Sequence, residues 1–198
     1  MSRPPILVLV LAGAFLLLVA SLVIGSFTTP EFPPYALTVP APGGAAVRDS
    51  LVGPSTYTLD ASAGEGWRRF DFTRNAVVDS GSWDIAFRRH HLIAAPAAGI
   101  ADLGAVPFDS VAQVPVDGYA ATEFGRDTVN PGVGKWYAYS MLSHLLTSKG
   151  HVYAVRTSDG RYAKLEIVAY YCRDVGAACY TIRYAFQGNG SRRVAVMK

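Results

Sequence analysis

The chain has 198 residues, with 18 Lys and Arg against 15 Asp and Glu and a formal net charge of +3. That length suits one domain of usual size plus a short anchor, and so small and scattered an excess of positive charge does not imply a nucleic-acid partner, and none is expected. Apolar residues, counting Tyr and Cys, make up 51% of the chain, and the excess over ordinary globular sequence sits in one N-terminal run.

That run, Ile6 to Gly25 (ILVLVLAGAFLLLVASLVIG), carries no charge. At 1.5 Å per residue it spans the ~30 Å hydrocarbon core of a bilayer. A cleaved signal peptide is the competing reading, but its apolar region runs about 7 to 15 residues and this one is longer. The expectation is therefore an uncleaved transmembrane helix, residues 1-27. Arg3 precedes the span and no Lys or Arg follows until Arg48, so the positive-inside rule puts the N-terminus in the cytoplasm and everything after Ser26 outside. No Cys directly follows the run, which leaves the helix, rather than a lipid, to hold the protein.

Between Thr28 and Val47 come Pro30, Pro33, Pro34, Pro40 and Pro42 with Gly43 and Gly44. This composition cannot continue a helix and favours extended polyproline segments, so residues 28-54 read as a tether. Residues 55-198 form the expected domain. From about Thr56 the period is two: Trp83, Ile85 and Phe87 alternate with Asp84, Ala86 and Arg88, the mark of a half-buried strand. Ala105 to Val114 and Lys135 to Leu146 each have room for a helical turn or two.

The clearest architecture is C-terminal. His151 to Thr157 leads through Ser158, Asp159 and Gly160 into Arg161 to Cys172, and the Asp-Gly pair is a strong hairpin signal. A third strand, Cys179 to Gln187, follows. Pairing Cys172 with Cys179 sets a register that puts Tyr171 opposite Tyr180, Ala169 opposite Ile182, Ile167 opposite Tyr184 and Leu165 opposite Phe186. The other face then holds Lys164, Glu166, Thr181 and Arg183, as a partly solvated sheet requires. Two Cys in an exported chain suggest a disulfide, and the six residues between them differ from the two of a thiol-disulfide exchange motif, so the bridge is structural.

Four segments in order, WDIAFRR (Trp83 to Arg89), VPVDGYA (Val114 to Ala120), KWYAYSMLSHLLTSKGHVYAVRTSDGRYAKLEIVAYY (Lys135 to Tyr171) and YTIRYAFQGNGSR (Tyr180 to Arg192), resemble the HmuY family of bacterial exported haem-binding proteins. The resemblance implies a mainly β fold, a compact antiparallel domain preceded here by one N-terminal transmembrane helix. Haem is the cofactor it implies; no other is expected. The chain departs from the family pattern in two places: HHLIAAPAAG follows WDIAFRR where relatives commonly carry an Asn-Gly-Gly type turn, and a membrane helix replaces the lipid-anchored or secreted form.

All four histidines, His90, His91, His144 and His151, lie within or beside these segments, and imidazole is a standard axial ligand to haem iron. His90 and His91 are adjacent, so in a strand they would point to opposite faces. His144 and His151 flank a turn and could approach across it. Met141, a soft ligand in principle, sits beside Leu142 and Leu145 and reads first as packing. Tyr153, Tyr162, Tyr170, Tyr171, Tyr180 and Tyr184 read first as core and cross-strand packing. Asn189-Gly190-Ser191 matches a glycosylation sequon, a weak signal in a bacterial chain. No nucleophile elbow, zinc-protease motif, phosphate loop or dinucleotide fingerprint is present, and the chain is not expected to be an enzyme.

Two functions fit. The first is an accessory subunit of a membrane-protein complex of respiratory or photosynthetic type. It would be single-pass in a bacterial inner membrane, held in the bilayer through Ile6-Gly25, with its domain periplasmic against other subunits. The second is a haem or tetrapyrrole binder retained at the same membrane.

Overall fold

A computed structural model describes residues 5-27, 32-39 and 50-195. Arg3, on which the orientation depends, and Pro30, Pro40, Pro42, Gly43, Gly44 and Arg48 of the expected tether lie outside these residues. The chain divides into two compact units, Met1–Glu31 with Ala138–Thr147, and Phe32–Tyr137 with Ser148–Lys198.

In the first unit a helix, α1 (Ile6–Phe27), occupies the apolar run. The run is rich in Leu, Ala and Val, holds no Pro and bonds its interior backbone groups within the helix. It is apolar on all sides instead of along one stripe, and none of the Ile6–Gly25 stretch is buried by the rest of the chain. A soluble amphipathic helix would show one buried face; this one has none.

The second unit is built of antiparallel strands: β1 (Leu51–Asp60), β2 (Arg68–Asp71), β3 (Ala76–Val78), β4 (Ile85–Arg88), β5 (His91–Ala94), β6 (Gly99–Asp102), β9 (Val152–Arg156), β10 (Tyr162–Cys172) and β11 (Gly176–Gln187). A short hairpin, β7 (Tyr137–Tyr139) and β8 (Leu146–Ser148), has its residues Ala138–Thr147 in the first unit. One sheet runs β1-β11-β10-β9-β6 and a second β3-β2-β4-β5. Aromatic side chains join the two sheets. Phe70 of β2 meets Tyr57 and Tyr184 edge-on at 4.8 and 5.6 Å, and Phe72 stacks on Phe186 at 5.8 Å. Farther along, Phe87 of β4 lies 4.8 Å from Tyr180. Rings of this size supply much of the apolar area that a mid-sized domain buries.

Several sequence expectations change in detail. β1 begins at Leu51, inside the stretch expected as tether. Asp84 and Ala86, expected to face solvent, are buried, because β4 is an inner strand covered on both faces. Ala105 to Val114 holds one 3-10 turn, Phe108–Ser110, whereas Lys135 to Leu146 carries β7 and the start of β8 and no helix; Tyr137 and Tyr139 alternate with Ala138 as strand residues do.

The β9-β10 hairpin turns on Asp159-Gly160 as the sequence suggested. The Thr157 and Arg161 main chains exchange a bond of 2.9 Å, and the Thr157 hydroxyl accepts from the Arg161 N–H at 2.8 Å. Cys172 and Cys179 are bonded to each other, but they are not opposite each other across the strands. Ile167 pairs with Ile182 and Leu165 with Tyr184, a slip of two residues from the expected register, while Cys172 pairs with Gly176, a slip of three. The cause is a tight turn at Arg173 to Val175 followed by irregular pairing near Ala169 and Tyr171. An even slip preserves side-chain parity, so Leu165, Ile167, Ile182 and Tyr184 still share the buried face.

The opposite face departs further. Lys164 and Thr181, expected at a partly solvated surface, are fully buried. The segment around Phe108–Ser110 covers Lys164: its Nζ donates to the carbonyls of Phe108 at 2.9 Å and Val111 at 2.8 Å, and lies 4.4 Å from the Phe108 ring. Thr181 shares a 3.0 Å hydroxyl bond with Thr58. Buried polar groups persist where every one finds a partner.

Candidate functional site

Segment 129-135 lines concave surface among the described residues. Its Asn130 is a hub: Nδ2 donates to the Ala120 carbonyl at 2.9 Å and to the Thr122 hydroxyl at 3.2 Å, while Oδ1 accepts from the Gly132 N–H at 2.9 Å. Gly132 is required by proximity, since a Cβ there would fall 2.1 Å from the Ile100 carbonyl oxygen. Held this way, the segment walls two clefts.

The first cleft, about 210 Å³, is lined by His90, His91, Leu92 and Tyr137. Arg89 and His90 make the two-residue turn between β4 and β5, with Arg89 at a φ of 50°. Because His90 stands in a turn and not in a strand, the adjacent histidines do not point to opposite faces as expected. Their rings lie 4.1 Å apart at 35°, and Tyr137 meets His90 edge-on at 5.8 Å. Trp136, fully buried beneath them, donates its indole N–H to the His90 carbonyl at 2.9 Å. Burial first, then the neighbouring His90 and Arg88, lowers the His91 pKa, so this imidazole holds its lone pair into more acidic solution. Rings only 4.1 Å apart leave no room for a flat macrocycle between them. His90 and His91 are therefore neighbours on one side of a cleft and not a facing axial pair.

The second cleft, about 490 Å³, is lined by Asp102, Lys135, Lys149 and Tyr153 among others. His151 does not line it. Its Nδ1 lies 2.9 Å from an Asp102 carboxylate oxygen, and its ring is 6.2 Å from Tyr153. Burial foremost, with Asp102 beside it, pushes the Tyr153 hydroxyl well up, so Tyr153 enters the cleft as a neutral phenol. The two lysines suit an anion such as a carboxylate.

His144 belongs to the other unit, at the tip of the β7-β8 hairpin, where Nδ1 meets the Tyr139 hydroxyl. Met141 is 70% exposed and so is not the packing residue the sequence suggested. Of the tyrosines, Tyr153, Tyr170, Tyr180 and Tyr184 are buried. Tyr170 is pushed up to about 12 by burial and then by Tyr171. Among the described residues no three His, Cys, Asp or Glu side chains gather as a metal site would require.

Sequence reasoning missed the wall of both clefts. Asn130-Pro131-Gly132 is a turn signature in its own right, and it was the signal available. Asp102 is distant in sequence from Lys135 and Lys149: the pairing of β6 with β9 sets Asp102 opposite Tyr153, and the Lys149 N–H, donating to the Trp136 carbonyl at 3.0 Å, brings Lys149 beside Lys135.

No family model matches the chain, and no curated protein matches it. Solved structures do. An apo HmuY analogue from Tannerella forsythia aligns with a TM-score of 0.58 at 16% identity, over 71% of this chain and 98% of that one. A structure described as a putative HmuY-like heme binding protein from Bacteroides vulgatus aligns at 0.56 and 18%, over 79% and 97%. A putative lipoprotein from Bacteroides fragilis aligns at 0.56 and 16%, over 65% and 88%. The chain therefore has an HmuY-like fold, mainly antiparallel β, with one apolar helix before it.

Proposed function

We propose that this chain is a non-enzymatic, membrane-anchored accessory subunit whose HmuY-like domain docks on the outer face of a larger membrane-protein complex. The observation that carries the reading is α1: uncharged, apolar on every side and with none of its Ile6–Gly25 stretch buried by the rest of the chain. Such a helix finds its solvent in lipid or among other transmembrane helices. With its N-terminus cytoplasmic, it holds the domain on the periplasmic side of a bacterial inner membrane, and respiratory and photosynthetic assemblies are hosts of the right kind. The state of the histidines supports the same reading. His151 is engaged by Asp102, and His90 and His91 stand side by side.

Solubilising the source membrane in mild detergent and isolating the chain under native conditions tests this. It should emerge with other membrane subunits in fixed stoichiometry; recovery as a lone monomer would count against the proposal.

One observation favours a second reading. His90 and His91 open onto a cleft beside Tyr137 on a fold shared with a structure described as heme-binding. On this reading the chain is a haem or tetrapyrrole binder retained at the membrane. Titrating the full chain with haemin decides it: a Soret shift that disappears in His90→Ala/His91→Ala supports it, and no shift removes it.

A further inference from the structure

The tip of the β7-β8 hairpin has a composition unlike the rest of the surface. Residues 138-147, AYSMLSHLLT, contain no Asp, Glu, Lys or Arg, and Tyr139, Met141 and Leu142 are 49%, 70% and 59% exposed. An exposed run of that kind in water is a liability. Its polar groups are nevertheless largely spent on one another. The Ser140 N–H donates to the Leu145 carbonyl and the His144 N–H to the Ser140 carbonyl, both at 2.9 Å. The Ser143 N–H donates to the Ser140 hydroxyl at 3.2 Å, and Tyr139 bonds His144. A turn that satisfies its own backbone can enter a medium poor in water.

Its place within the first unit supplies the occupant. A Cβ at Gly25 would stand 2.6 Å from the Leu142 carbonyl oxygen, so the hairpin backbone rests on the last turn of α1, at the end of the Ile6–Gly25 stretch. If α1 crosses the bilayer, that turn lies where acyl chains meet headgroups, the level at which Tyr rings and other amphipathic groups collect. We infer that Tyr139, Met141 and Leu142 form a lipid-seated wedge that inserts into the outer leaflet beside the anchor. The wedge gives the anchor a second attachment to the membrane. The inference rests on the anchoring of α1 argued above and adds a specific contact to it.

The test uses the full chain in phosphatidylcholine and phosphatidylglycerol vesicles, with an environment-sensitive fluorophore on Met141→Cys. Both native cysteines are bonded to each other, so the added thiol is the one labelled. Val116→Cys, on an exposed residue of the other unit, and Leu16→Cys, in the middle of α1, serve as references. Emission from the Met141→Cys probe should shift to the blue, lose intensity with spin-labelled lipids and resist a water-soluble quencher, while the Val116→Cys probe behaves oppositely. If the Leu16→Cys probe sits in lipid but the Met141→Cys probe is quenched from water, the wedge is refuted and the anchor stands. Protection of the Met141→Cys probe in the native complex but not in vesicles would make the occupant a protein subunit and also refute it. A Leu16→Cys probe found in water would overturn the anchor and the wedge together.

Discussion

Asp84, just ahead of β4, offers the sharpest thermodynamic handle. It is buried, and its carboxylate accepts the Phe72 N–H at 2.8 Å. Desolvation by burial, reinforced by Asp71 and Asp159 and opposed by the Phe72 bond and Arg161, raises its pKa from 3.8 to about 7. In the unfolded chain this proton leaves near pH 3.8; in the folded chain it stays until about pH 7. The folded state thus binds the proton more tightly. That contribution to stability is complete below the unfolded pKa and is lost as pH rises through the folded one. At 1.36 kcal/mol per pKa unit, a shift of about three units is worth about 4 kcal/mol at most. Asp84→Asn keeps an oxygen for the Phe72 N–H and removes the charge. Against wild type the variant should gain roughly 2–4 kcal/mol between about pH 4 and about pH 8. Urea unfolding of the full chain in mild detergent, followed by tryptophan fluorescence across that range, measures the gain. Parallel stability curves for the two proteins would refute the reasoning.

Lys164→Met retains the stem but strips the donor from the carbonyls of Phe108 and Val111; a loss of roughly 2–3 kcal/mol is expected in urea unfolding, with faster amide exchange around Phe108–Ser110. Tyr180→Phe should change stability by less than about 1 kcal/mol or raise it: the Tyr180 hydroxyl is buried with no hydrogen-bond partner among the described residues, the Trp136 N–H being committed to the His90 carbonyl. Replacing Cys172 and Cys179 together by Ala should cost roughly 2 kcal/mol, the loop-closure value for so short a loop, read as a lower urea midpoint.

The parts legible in the sequence were those set by local chemistry. Twenty uncharged residues in a row announce α1, and Asp159-Gly160 between two alternating runs announces the β9-β10 hairpin. What escaped depends on distant segments. The pleat's period of two fixed which β10 residues face inward, but not the two-residue slip that a tight turn after Cys172 imposes. Lys164 looked like a surface residue because nothing near it in sequence reveals that the segment at Phe108–Ser110 folds over it. His90 and His91 looked opposed because a strand was assumed where the chain turns at Arg89. The clefts on either side of segment 129-135 depend on Asn130 reaching Ala120 and Thr122 and on Gly132 pressing against Ile100, contacts no spacing rule anticipates.

The role argued for this chain depends on its leading helix staying attached and embedded. The most direct measurement is the intact mass of the native protein, taken from a gently solubilised membrane complex. The protein should have the mass of the full 21.2 kDa chain and co-elute with partner subunits. A smaller species beginning near Phe27, recovered from the soluble fraction, would contradict it.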